Sequence, residues 1–390
     1  MIVLRSVSVI GIGETRMGKL TSKSIRMLIK EAGNKAIEDA GIEKERIQAL
    51  YMGNYNASYW SIQSHIGALA SETLEIGHIP TIRTEGACAT GSLAFRQGLN
   101  AIAAGIYDVV LIGGVEKMTH KPIETITTGL ASAADFEYEV NLGSTFPSLF
   151  AMIANRYFYE YGDVRKEMAM AAVQNHDNAL LNSNAQMHKK ITIDQVFNGF
   201  PVAHPLTVYD CSLVTDGAAF VVLAATEVAE KIAKKRVVEV IGTGHAGDSL
   251  TLAGKKSITT LEATVKAANE AYKMAGITAK DIGFAEVHDC FTITQIINTE
   301  DLGFFEKGRG AKALAEGKTA LDGQIPINTS GGLKAKGHPI GATGLSQINE
   351  VVTQIRGEAG ARQIKNANIG LNHNLGGTAA TCVVNVFKGR

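Results

Sequence analysis

Cysteine is scarce in this 390-residue chain. The four present, Cys88, Cys211, Cys290 and Cys382, are too few and too dispersed to staple a chain of this size. No two have the C-x-x-C spacing of a zinc or redox site, and a reducing, cytoplasmic setting is expected. An excess of either charge is also missing. Lys and Arg number 38, as do Asp and Glu, so the net charge is zero. That balance argues against a nucleic-acid binder working through a broad basic face, while leaving room for a small cationic pocket for one phosphorylated ligand. Long apolar runs are missing too: no stretch approaches the roughly 18–20 apolar residues of a membrane span. The opening MIVLRSVSVIGIGETRMGKL carries neither a basic leader nor a small-residue cleavage site and reads as a strand. The closing FKGR is not a peroxisomal tripeptide. No Pro/Ser-rich linker or run of charge divides the chain, which reads as one soluble body.

What is present in excess is glycine, 41 residues against a usual share of roughly 7 %. Such an excess marks tight turns and close backbone approaches. Hydrophobic residues make up 45 %, enough for a sizeable core. The chain also repeats itself. VIGIG at 9–13 recurs as VIGTG at 240–244, and AGIEKERI at 40–47 as AGITAKDI at 275–282. ATG at 89–91 recurs at 342–344, and a GG closing a strand at 113–114 recurs at 376–377. The matches keep their order, with offsets rising from 231 to 263, so the chain reads as two related halves of strand–helix–strand units. Apolar strands alternating with amphipathic helices predict an α/β fold whose sheet faces are both covered. The expected division is 1–119 and 206–234 for the first half, 235–390 for the second, and 120–205 as an excursion. That excursion is helix-rich and rich in Met and aromatic residues, and it has no counterpart in the second half.

Four segments could carry chemistry. Cys88 stands among small residues (GACATGS) just before a helical pattern, where the positive end of a helix and free N–H groups favour the thiolate. His338, in KGHPIGATG, holds the equivalent place in the second repeat, held stiffly between Gly and Pro, and histidine is suited to moving a proton near neutral pH. His288, Asp289 and Cys290 end an apolar strand, where ligands of α/β proteins bind. The segment offers too few donors for a metal site, and no second cluster has matching spacing. In NHNLGGTAATC, Asn372, His373 and Asn374 could donate hydrogen bonds, and the glycines let backbone N–H groups reach an oxyanion. Cys211 and Cys382 read as structural. The GIG and GTG fragments lack the full G-x-G-x-x-G and its acidic partner, so a dinucleotide fold is rejected.

Together these segments resemble the thiolase family over essentially the whole chain. The shared marks are GACATGS, LIGGVEKMT at 111–119, TDGAAF at 215–220, NTSGGLKAKGHPIGATG at 328–344 and the closing NHNLGG. The resemblance implies the thiolase fold, two duplicated βαβαβ-type halves in a five-layered α/β/α/β/α core, with an inserted helical loop domain. The sequence has HDCF at 288–291 where the common bacterial type has N-E-A-F, and HNLGG at 373–377 where that type has a cysteine in C-x-G. Both departures match the sterol-carrier-protein type and the archaeal acetoacetyl-CoA thiolases. A smaller one is Thr90, where a serine is usual.

The implied activity is reversible condensation of two acetyl-CoA molecules to acetoacetyl-CoA and CoA, an acyltransferase reaction feeding mevalonate synthesis, with coenzyme A thioesters as substrates and no resident cofactor. Cys88 would be acetylated, His338 would take and return its proton, and Cys290 would move the α-proton. His288 and His338 would form one oxyanion hole, and the N–H groups of Cys88 and of the Leu375–Gly376 region the other. His373 would orient the second hole or share proton transfer. Ser212 would lie by the pantetheine arm, with Ser148, Leu149, Phe150 and Phe291 lining the same channel. A homodimer or tetramer is implied, as is a complex with hydroxymethylglutaryl-CoA synthase bridged by a small OB-fold zinc-ribbon protein. A ketoacyl or hydroxymethylglutaryl-CoA synthase, or a weakly active lipid-binding or assembly subunit, shares the fold and stands as the alternative.

Overall fold

A computed structural model describes residues 5–390; Met1–Leu4, the start of the expected first strand, lie outside the described residues. The strands are β1 (Val7–Glu14), β2 (Leu50–Gly53), β3 (Thr81–Thr84), β4 (Val109–Glu116), β5 (Pro201–Ala203), β6 (Leu206–Thr207), β7 (Gly217–Ala225), β8 (Val238–Gly247), β9 (Phe284–Glu286), β10 (Ile369–Gly376) and β11 (Thr381–Gly389). Nine of them form one continuous sheet in the order β3-β2-β4-β7-β1-β8-β11-β10-β9, while β5 and β6 make a separate hairpin. The order is a palindrome of equivalent strands about the β1–β8 joint, which is a short antiparallel pairing of Ser8 with Glu239 and Val9 with Val238. The fifth strand of the second half is reduced to a bridge between Ala285 and Ile327.

The repeats mark where helices seat. Helix Ile25–Ala40 starts at Ser24, whose hydroxyl accepts the Met27 N–H, and stops at Gly41 in the left-handed conformation. Helix Glu262–Ala275 stops in the same way at Gly276. The shared AGI is therefore a helix C-cap, for which glycine is favoured. The VIGIG and VIGTG glycines seat these two helices on their strands. A Cβ at Gly11 would lie 2.3 Å from the Ala36 carbonyl oxygen, and one at Gly242 2.3 Å from that of Ala271. These glycines serve helix–strand packing, in line with the rejection of a dinucleotide loop.

Helices Thr90–Ala103 and Ile340–Arg356 pack on each other and contact sheet strands of both halves. The two outer helices cover the far faces, Ile25–Ala40 against β1 and β7, and Glu262–Ala275 against β8 and β11. The layers are thus helix, sheet, paired helices, sheet, helix. The two central helices meet at the glycines of the ATG repeat: a Cβ at Gly344 would lie 2.5 Å from Ser92 N, and one at Gly91 3.1 Å from Gly344 N. This contact sets Cys88 and His338, each just ahead of its helix, face to face. Gly344→Ala must push the helices apart. We expect a stability loss of about 1–3 kcal/mol from overpacking together with slower reaction at Cys88. An unchanged urea midpoint would show that the contact can yield.

The GG match needs one correction. Gly113 and Gly114 lie inside β4, which runs on to Glu116, whereas Gly376 ends β10. The equivalent strands β4 and β10 start at Val109 and Ile369, an offset of 260 rather than 263. Between β4 and β7 the chain forms helices Ile123–Ala131, Phe146–Tyr161 and Arg165–Leu180. Phe150, Ile153 and Tyr157 of this segment pack with Val287, Phe291 and Ile296, so it seats on the second half although it leaves from the first. No helix among the described residues is long and apolar enough to cross a membrane.

Candidate active site

Four chain segments converge where the central helices meet. Cys88 sits in a short 3-10 turn, Ala87–Ala89, ahead of helix Thr90–Ala103. Ala87 has φ +50°, a conformation that is uncommon for a residue with a Cβ. Thr90 locks the turn: its hydroxyl donates to the Ala87 carbonyl at 2.6 Å and accepts the Gly86 N–H at 2.9 Å. The threonine thus bonds both ends of the nucleophile turn. The Cys88 sulfur and one ring nitrogen each of His288 and His338 all lie within 4.8 Å of one another.

Hydrogen bonds assign opposite tautomers to the two histidines. Thr343 donates its one hydroxyl proton to the Pro339 carbonyl at 3.2 Å. The 2.7 Å contact between Thr343 Oγ1 and His338 Nδ1 therefore has the ring as donor, and His338 Nε2 carries a lone pair. On the other side, Asn374 Nδ2 donates to the Cys88 carbonyl at 2.9 Å and lies 3.0 Å from His288 Nδ1. A carbonyl only accepts, so the amide nitrogen is the atom facing both groups, and His288 Nδ1 must be the acceptor. The proton of neutral His288 then sits on Nε2, which is buried without a protein partner. Burial pushes His338 down to about 3. It also lowers His288 well below the usual value, and the other two site histidines lower it further. Both rings are neutral at rest, one presenting a base and the other an N–H donor, with their centroids 5.2 Å apart.

The thiols do not behave as the helix position alone suggests. Burial pushes Cys88 up to about 12, although the backbone N–H groups of Gly377 and of Cys88 itself favour the thiolate. Desolvation thus outweighs the helix end, and Cys88 rests as a thiol. Its alkylation by iodoacetamide should therefore rise about tenfold per pH unit from pH 7 to 10, because only the thiolate reacts. A plateau reached below pH 8 would instead show a preformed thiolate–imidazolium pair. The second backbone donor is Gly377, in the left-handed conformation at φ +60°, one residue beyond the expected Leu375–Gly376. Burial first and the neighbouring Cys88 second also push Cys290 well above its ordinary value. Its sulfur lies 3.9 Å from Thr294 Oγ1, and its carbonyl accepts the Ser212 N–H at 2.8 Å.

Several expected residues stand elsewhere. His373 points to the outer helical layer, where its Nδ1 accepts the His288 backbone N–H at 3.3 Å and its Nε2 meets Thr264 Oγ1 at 3.0 Å. Both nitrogens are engaged, so His373 steadies the His288 main chain and has none free for proton transfer. Ser148 uses its hydroxyl to cap its own helix, donating to the Thr145 carbonyl and accepting the Thr145 N–H. Leu149 is 1 % exposed, inside the apolar core. Leu149 therefore has no surface to offer a ligand in this arrangement, whereas Ser148 stays half-buried at the start of its helix. Phe150 and Phe291 do meet, stacked at 4.5 Å beside Cys290. Cys211 is half-buried and donates to the Thr207 carbonyl at 3.5 Å, and Cys382 is buried against Thr264.

Three residues brace the site, and two of them, Glu116 and Asn298, were not singled out from the sequence. Glu116, at the end of β4, accepts Tyr55 N–H at 2.9 Å and Gly341 N–H at 3.0 Å, tying the first half to the helix behind His338. Burial raises it to about 7. Asp289 accepts Leu333 N–H, Lys334 N–H and Asn175 Nδ2, clamping the HDCF strand end to the loop that leads to His338. Asn298 donates to the His288 carbonyl at 2.8 Å. The signal for Glu116 was an acid ending an apolar strand, whereas Asp289 lies three residues past the end of β9.

A half-buried thiol, a base, an N–H donor and two backbone N–H groups around one point define a cysteine acyl-transfer centre on a duplicated α/β body. Comparison with known proteins sharpens that class. Residues 7–199 match the family model described as "Thiolase, N-terminal domain", and residues 244–389 match "Thiolase C-terminal domain-like". The chain belongs to the thiolase family, and with it to the acyltransferases. It is 47 % identical to the acetyl-CoA acetyltransferase of Methanothermobacter thermautotrophicus, over 99 % of this chain and 100 % of that one. It is 32 % identical to bovine (Bos taurus) sterol carrier protein 2, over 98 % of this chain and 72 % of that one. Among solved structures, the Ltp2-ChsH2(DUF35) aldolase superposes with a TM-score of 0.86 at 24 % identity, covering 100 % of this chain and 99 % of that one.

Proposed function

We propose that this protein is an acetoacetyl-CoA thiolase, joining two acetyl-CoA molecules into acetoacetyl-CoA and CoA, and running the reverse cleavage, through an acetyl group held on Cys88. The observation that carries this reading is the opposite protonation of His338 and His288 around one sulfur. Support comes from the archaeal relatives named acetyl-CoA acetyltransferase, at 47 % and 44 % identity.

The steps balance as follows. The Cys88 thiol passes its proton to His338 Nε2 as sulfur attacks the thioester carbonyl. The N–H groups of Cys88 and Gly377 hold the resulting oxyanion. Collapse expels CoA as a thiolate, which takes the proton of Cys290, leaving His338 charged and Cys290 as a thiolate. Cys290 then removes the α-proton of a second acetyl-CoA. The enolate oxygen lies between His288 Nε2–H and the new His338 Nε2–H, so the base of the first step is a donor in the second. The enolate carbon attacks acetyl-Cys88, and the released Cys88 sulfur takes back the proton held on His338 Nε2, which restores both thiols and the neutral ring. In the cleavage direction the resting Cys290 thiol is ready to protonate the departing carbon. Ser212 and Phe291 flank the pantetheine arm, next to Cys290.

The same proposal covers the division into halves at 1–119 with 206–234 and at 235–390, with 120–205 inserted, and a dimer or tetramer in the cytoplasm. It also includes handing acetoacetyl-CoA to hydroxymethylglutaryl-CoA synthase across a bridging OB-fold zinc-ribbon protein in mevalonate synthesis. Such hand-over favours a condensation that is uphill alone. The test is CoA-dependent loss of the enolate absorbance of acetoacetyl-CoA. Cleavage to two acetyl-CoA is expected, and a folded protein that leaves acetoacetyl-CoA intact would overturn the reading.

A further inference from the structure

His288 has two ring nitrogens, and only one tautomer makes its inward nitrogen a donor. The choice is made outside the ring. Asn374, on β10, is buried and reaches two acceptors with one amide nitrogen, the Cys88 carbonyl at 2.9 Å and His288 Nδ1 at 3.0 Å. Turning the amide over would set its oxygen against the carbonyl oxygen, two acceptors face to face. The amide oxygen instead faces inward without a partner, beside the close approach of Gly344 and Ser92. Its orientation is therefore set by the nucleophile's own main chain.

We propose that Asn374 is a positioning residue that fixes His288 as the Nε2–H tautomer, and so keeps the Cys88, His288 and His338 cluster an oxyanion-binding site rather than a metal site. The spacing of the three would suit a soft divalent ion: one sulfur and two imidazole nitrogens lie within 4.8 Å of one another, and zinc takes such ligands. What the cluster lacks is a second imidazole lone pair. His338 offers one, while His288 presents its proton. A metal-bound histidine ordinarily gives its other N–H to a carboxylate or carbonyl acceptor. Asn374 Nδ2 does the reverse, supplying a proton where a metal site would need an acceptor.

Asn374→Asp inverts that one feature. A carboxylate accepts from Nδ1–H, which moves the lone pair to Nε2 and completes the metal set. The tautomer claim rests on the geometry alone, and its catalytic consequence rests on the function proposed above. Three readouts separate the two. In the wild-type chain labelled with 15N-histidine, and assigned by the signal missing in His288→Asn, His288 should show a protonated Nε2 and a bare Nδ1. The opposite pattern would overturn the proposal without touching the thiolase reading.

With Co²⁺ as probe, wild-type protein should give no thiolate-to-metal absorption band at sub-millimolar ion, whereas Asn374→Asp should give one that disappears with Cys88→Ala. A band of equal strength in both proteins, or in neither, would count against Asn374 as the deciding group. In activity, Asn374→Asp should lose about 10²–10³-fold in condensation, the usual cost of one oxyanion donor, with Cys88 acetylation slowed by less than about tenfold. Equal loss in both half-reactions would point to a merely structural role. Should Asn374→Asp not fold, Asn374→Ala frees His288 Nδ1, and a mixture of tautomers replaces the single one.

Discussion

Cys88→Ala removes thiolysis and condensation altogether, while leaving the fold in place. The side chain is half-buried in a turn held by Thr90 and Gly86, so alanine fits the same backbone with a small packing loss. The chemistry has no substitute. Cys211 and Cys382 are occupied elsewhere, with the Thr207 carbonyl and Thr264, and Cys290 lacks the Gly377 N–H that meets the Cys88 sulfur. Removing a nucleophile of this kind costs on the order of 10⁶-fold in turnover. Turnover by Cys88→Ala above a hundredth of wild type, with the melting temperature unchanged, would place the nucleophile elsewhere.

The second large effect separates the half-reactions. Cys290→Ala should accept an acetyl group on Cys88 at a rate within about tenfold of wild type, since water or His338 can supply the proton to departing CoA. Condensation should fall by about 10²–10⁴-fold, the range for a lost general acid–base group. The resting state of Cys290 gives this prediction a direction. Burial above all holds Cys290 protonated, and a Cys88 thiolate would hold it further, so it gives a proton before it takes one. Rapid-quench measurement of acetyl-enzyme against acetoacetyl-CoA checks the split. Normal condensation by Cys290→Ala would move the base to another group, and His373, with both ring nitrogens engaged, is poorly placed to be that group.

Much of the architecture was legible because the duplicated parts use the same small residues for the same contacts. The glycines of VIGIG and VIGTG seat equivalent helices, and each AGI ends one. The ATG glycines turned out to touch each other, which is why a repeat in sequence brings Cys88 and His338 together in space. The apolar run 218–225 falls within β7, Gly217–Ala225.

The site was less legible, for three physical reasons. Strand alternation sends His373 to one face and Asn374 to the other, and the local sequence does not say which face meets the nucleophile. Burial, which sets the Cys88 and His338 protonation states, comes from distant segments. The Glu116 and Asp289 clamps join chain positions far apart, Glu116 to Gly341 and Asp289 to Leu333. Likewise the Ser148 hydroxyl is taken up by the start of its own helix, and Leu149 is buried in the apolar core.

The central claim is an acetyl group carried on one named sulfur. Protein mixed with acetyl-CoA, quenched in acid and measured intact should gain one acetyl group per chain, mapped to the peptide holding Cys88 and released on adding CoA. A folded protein that gains no acetyl group, or gains it on a peptide without Cys88, would contradict the account.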